Sequence, residues 1–118
     1  MKIDISNFPI VNVVFPEVVD DNSLQYLLTT WRRLYNEKKN FEFRFDTLQL
    51  SGGTFSHCLM MANFMGELKK EPVQYLQKSE IIIDSSIVHM LLKLVFSIQS
   101  PIAKVLIFDK DHQLLSEF

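Results

Sequence analysis

Polar and apolar residues alternate along Lys2-Ile3-Asp4-Ile5-Ser6, which predicts a short edge strand. Asn7-Phe8-Pro9 reads as a turn. Ile10-Val11-Asn12-Val13-Val14-Phe15 is nearly all β-branched or aromatic and stops at Pro16, which predicts a strand buried on both faces. Asp20-Asp21-Asn22-Ser23 supplies capping side chains and places acids at the positive end of a helix. Leu24, Leu27, Leu28, Trp31, Leu34 and Tyr35 then fall on one helical stripe, with Asn40 as the expected C-cap. Phe41, Phe43 and Phe45 alternate with polar residues, so they share one face of a strand.

Leu48–Thr54 reads as a loop around Gly52-Gly53. Phe55, Cys58, Leu59, Ala62 and Met65 form the stripe of a second helix, ended by Glu71-Pro72. Ile81-Ile82-Ile83 is a compact strand, and Asp84-Ser85-Ser86 caps a third helix running to about residue 99. Ile102–Phe108 is the last predicted strand, and Asp109–Phe118 reads as a short terminal helix with Leu114, Leu115 and Phe118 facing the sheet. The predicted order is ββαβαβαβα. Alternating strands and helices imply right-handed crossovers, hence an α/β fold with a mostly parallel or mixed central sheet and flanking helices. An all-helical bundle would force Val11–Phe15 and Ile81–Ile83 into helix against their β-branched preference.

At 118 residues the chain has room for one core, so residues 1–118 are expected to form a single domain. Twelve basic and 14 acidic residues give a formal charge of -2, so no basic field invites nucleic acid. The single cysteine, Cys58, forms neither an internal disulfide nor a multi-thiolate metal site and fits a reducing compartment. Asp4 stands where a secretory leader would be cationic, and Ile87–Ile98 is far shorter than the roughly 20 residues a membrane-spanning helix needs. A soluble, cytoplasmic protein with no membrane insertion is therefore expected.

The element order, with Phe45-Asp46-Thr47 ending the central strand and a small-residue loop opening the next helix, resembles the STAS family of anti-sigma-factor antagonists and sulfate-transporter tails. The resemblance covers nearly the whole chain and suggests a divergent member. It implies an α/β fold, a loop Ser or Thr phosphorylated by a partner kinase, and a following helix that docks the partner. The loop here reads Leu50-Ser51-Gly52-Gly53-Thr54-Phe55-Ser56. It lacks the family's Asp-Ser-Ser-Gly string, and the only Asp-Ser-Ser, Asp84-Ser85-Ser86, opens the following helix.

Asp46, Ser51, Gly52, Gly53, Thr54 and Ser56 are the candidate ligand or phosphorylation loop, where freed backbone N–H groups at a helix N-terminus suit a small anion. Plain capping by Thr54 is the competing explanation. His57, His89 and His112 show no metal-ligand spacing, and no carboxylate stands at helical spacing to orient one of them. Cys58 lies on an apolar stripe and points away from His57. No catalytic residue, metal site or cofactor is expected, and the protein is not expected to be an enzyme. The third helix is apolar around more than one face. With Met60, Met61 and Phe64, its Met90 and Leu94 are the candidate partner surface. Two readings result. The first is a non-enzymatic regulatory or scaffolding module acting through a protein partner or self-association. The second is a small-ligand or phosphate-binding protein using Asp46, Ser51–Thr54 and Asp84–Ser86.

Overall fold

The computed structural model describes residues 1–118. Its elements are β1 (Lys2–Asp4), β2 (Ile10–Val14), α1 (Asp21–Asn36), β3 (Phe41–Asp46), α2 (Phe55–Leu68), β4 (Leu76–Ile82), α3 (Ser86–Ile98), β5 (Lys104–Phe108) and β6 (Leu114–Glu117). The α/β class holds, with a six-stranded mixed sheet and three helices. The strands lie in chain order, β1 to β6. β2 to β5 are mutually parallel, and β1 and β6 run antiparallel at the two edges.

α1 forms as its stripe predicts, whereas in α2 the buried residues are Cys58, Ala62, Met65 and Leu68, and Phe55, expected on the stripe, is exposed in the first turn where the helix overhangs the loop edge. All six stripe residues of α1, from Leu24 to Tyr35, are its buried ones. The Asp20 carboxylate accepts from the Ser23 N–H at 2.7 Å, and Ser23 Oγ reciprocates with the Asp20 N–H, closing a capping box. Thr54 caps α2 and Ser85 caps α3. The chain leaves α1 through Lys38, at φ 58°, rather than at the expected Asn40.

Stepping from strand to neighbouring strand in one direction through right-handed crossovers puts all three helices on one face of the sheet. The core lies there, as the rows Ile3–Val13–Phe45–Ile81–Ile107 and Val11–Phe43–Ser79–Val105. The other face has no helical cover. It carries a lattice of ion pairs: Arg44 with Glu80 at 3.7 Å, Lys78 with Glu80 at 3.1 Å, and Lys104 with Glu117 at 2.8 Å.

Three expectations are corrected by this geometry. The Ile10–Phe15 run is not buried on both faces: Val11 and Val13 are buried, whereas Ile10, Asn12 and Val14 are half-buried on the open face. The strand expected at Ile81–Ile83 begins at Leu76, because Lys78 and Glu80 sit on the uncovered face, where polar side chains are tolerated. Asp109–Phe118 is not a helix, so the predicted ββαβαβαβα order fails at its last element. The Asp109 carboxylate accepts from the N–H groups of Asp111 and Gln113, both at 2.9 Å, and His112 takes φ 60°. That turn reverses the chain, and β6 pairs with β5 in the register Leu106↔Glu117 and Ile107↔Ser116.

Candidate functional site

The parallel strands deliver their following loops to one edge of the sheet, where open α/β sheets place ligands. Asp46 ends β3 there, and its carboxylate accepts from the Leu48 N–H at 2.9 Å. Thr47 is buried, and its hydroxyl donates to the Ile82 carbonyl at 2.7 Å. Ser51 donates to the Glu17 carbonyl at 3.0 Å, while Thr54 Oγ1 accepts from the His57 N–H at 3.1 Å. The loop hydroxyls of Ser51 and Thr54 thus hold the loop and the start of α2. Ser56 is exposed in the first turn of α2. At the next strand end, Ser85 Oγ accepts from the N–H of Ile87, and Asp84 lies 3.8 Å from the Lys110 ammonium. No three His, Cys, Asp or Glu side chains gather closely enough to hold a metal ion.

One pair that spacing does not reveal stands beside the loop. His57 Nε2 meets the Asp21 carboxylate at 2.7 Å, across 36 positions of sequence. No carboxylate stands at helical spacing from a histidine, but the parallel crossovers bring the N-termini of α1 and α2 together and supply one from another helix. No hydroxyl or thiol joins the pair, and His57 Nδ1 is buried with no partner. Cys58 adjoins it in sequence, but burial pushes its thiol pKa up and keeps it protonated. His89 bonds instead to Ser116 Oγ at 2.8 Å, tying α3 to β6, and His112 serves the β5–β6 turn.

Beneath α2 and α3 lies a cavity of ≈ 140 Å³. It follows the helix-facing side of β4, touching Leu76, Ser79 and Ile81. Its origin is visible in the core rows. Ser79 stands between Phe43 and Val105, so a small side chain occupies the middle of the sheet where a large one would fill the layer. Gly52, Gly53 and Ala103 on the wall add little bulk. Trp31 also lines it, only 4% exposed and packed on Phe43 and Phe64 with ring centroids at 5.0 and 5.1 Å. Its indole N–H has no hydrogen-bond partner. A buried polar group left unpaired costs about 1–3 kcal/mol.

Comparison of the chain with protein-family models, with curated proteins and with solved structures finds no match in any of the three.

The candidate partner residues do not share one surface. Phe64 packs on Trp31 with the Arg32 guanidinium 5.9 Å from its ring centre, and Met61 lines the cavity. Met60 and Leu94 are half-buried, and Met90 is exposed. Only Val88 and Val95 of α3's 13 residues are buried. Ile87, Met90, Leu94 and Ile98 follow the i, i+3, i+7, i+11 spacing of an outward stripe, with Ile87 52%, Met90 63% and Ile98 42% exposed. The opposite flank of α3 packs on the chain just past β6, where the Phe96 and Phe118 rings meet at a tilt of 47° with centroids 4.9 Å apart. No helix is long and apolar enough to cross a membrane.

Proposed function

We propose that the chain is a non-enzymatic regulatory or scaffolding module of STAS-like kind, working in the cytoplasm through contact with a protein partner or a second copy of itself. The observation that carries this reading is the outward stripe of α3. A helix that covers a sheet needs one apolar face, and α3 carries further apolar side chains beyond it, the exposed Ile87, Met90 and Ile98 beside the half-buried Leu94. Exposed methionine and aliphatic side chains in one continuous stripe are the material of a protein interface. The free edge of β6, with Leu114 and Leu115 exposed, lies at the same end of the sheet.

Light scattering over micromolar to millimolar protein tests it. Self-association is expected in the wild type and is weakened at least about tenfold by Met90→Glu, which places a charge in the contact. Met90 is 63% exposed, so far-ultraviolet circular dichroism should stay unchanged. A monomer at every concentration, together with identical pull-downs by wild type and Met90→Glu, refutes the reading.

A further inference from the structure

We propose that the cavity between the sheet and the α2–α3 pair is a binding site for a small neutral molecule: one aromatic ring or a short alkyl chain carrying a single hydrogen-bonding oxygen. This site is internal and separate from the outer stripe of α3, so it stands or falls independently of the interface.

Size sets the first limit. The space of ≈ 140 Å³ is close to the roughly 150 Å³ of an engineered apolar cavity that stays dry and takes up benzene. Charge sets the second. No Lys, Arg, Asp or Glu lines the wall, and Cys58 remains a neutral thiol. An ion entering this space would meet no counter-charge, so the occupant is uncharged.

Hydrogen bonding sets the third. Two polar atoms of lining residues are buried and unpartnered, the Trp31 indole N–H and His57 Nδ1. The Asp21 carboxylate accepts from His57 Nε2–H, which leaves Nδ1 as the ring atom without a partner. Both atoms are closed over in the cavity wall, so an occupant meets the indole N–H between α1 and the sheet, or the ring nitrogen near the loop end, only as the side chain beside it gives way. A water molecule is a poor partner for Trp31, because an ordered water needs two to four polar contacts and the indole is packed against Phe43 and Phe64. An alcohol, ketone or phenol oxygen on an apolar body satisfies the indole and fills the space together. Access lies at the sheet edge, where the wall includes Gly52, Gly53 and Thr54, the last two exposed.

Trp31 is the only tryptophan, so its side-chain N–H gives one resonance in a nitrogen–proton correlation spectrum. Benzyl alcohol, toluene and benzoate are the probes. Benzyl alcohol is expected to move that proton downfield, to shift the methyl resonances of Leu92 and Val105, and to raise the melting temperature. Benzoate is expected to do none of these. Trp31→Phe keeps a ring and removes the N–H. It should weaken benzyl alcohol about fivefold, the equivalent of one hydrogen bond, and leave toluene unchanged. Ser79→Val narrows the middle of the cavity and should weaken both neutral probes. If a variant fails to fold, the wild-type indole resonance decides alone. The proposal is overturned if millimolar benzyl alcohol leaves the indole and methyl resonances in place. It is equally overturned if benzoate binds as well as benzyl alcohol, or if Trp31→Phe weakens toluene and benzyl alcohol alike.

Discussion

Phe43 and Arg44 are neighbours in β3 that point to opposite faces of the sheet, and they test the one-sided cover directly. Phe43 is fully buried, with ring centroids 5.0 Å from Trp31, 5.2 Å from Phe41 and 4.7 Å from Phe45. Phe43→Leu keeps most of the apolar bulk but gives up three aromatic pairs, each worth about 0.5–1.5 kcal/mol and not fully additive, for a loss of roughly 1.5–3 kcal/mol. At about 3–5 °C per kcal/mol for a domain of this size, the melting temperature should fall by about 5–15 °C. Phe43→Ala should cost about 3–5 kcal/mol, a large part of the about 5–15 kcal/mol that holds a typical domain together. The Arg44 side chain is 57% exposed and its partner Glu80 stands 3.7 Å away, so Arg44→Ala should cost less than about 0.5 kcal/mol. Urea unfolding followed by the fluorescence of Trp31, which touches Phe43, and by circular dichroism gives both values. An Arg44→Ala cost equal to that of Phe43→Leu would mean that the second face is covered. A Phe43→Leu cost under about 0.5 kcal/mol would mean that the core is not centred on β3.

Thr47→Val should destabilise by about 1 kcal/mol, because the shape is kept and only one of two donors to the Ile82 carbonyl is lost, the Thr47 N–H remaining at 3.0 Å; denaturant titration of the two proteins measures it. His89 titrates below its ordinary value of 6.5, because burial and then the nearby Lys93 charge disfavour its protonated form. The unfolded chain therefore takes up this proton first. The His89 contribution to stability is fully present above about pH 6.5 and is lost as the pH falls below that toward the lower folded value. His89→Gln should keep a bond to Ser116 and flatten that part of the stability–pH curve; an unchanged slope between the two proteins counts against the assignment.

Elements whose signal is carried by near neighbours in the chain are legible in the sequence alone. The α1 stripe from Leu24 to Tyr35, the Phe41–Phe43–Phe45 face, the cap at Thr54 and the capping clusters Asp20–Ser23 and Asp84–Ser86, within which Asp20 and Ser85 take the cap position, are all short-range patterns. Asp109 also worked locally, but its two backbone bonds make a turn, and an apolar pair such as Leu114-Leu115 suits strand and helix equally. The candidate loop was legible as a loop. That the Ser51 hydroxyl is engaged depends on Glu17, which lies 34 positions away.

Periodicity says that a strand has a buried side, and it is silent on how many sides the helices cover. That answer comes from the direction of successive crossovers, which left Arg44, Lys78 and Glu80 on an open face and brought His57 to Asp21. The cavity is further from the sequence still. Ser79 is an ordinary polar residue in a strand until Phe43, Val105 and two helices surround it. Empty volume is then the difference between the space those elements enclose and the side chains they send into it.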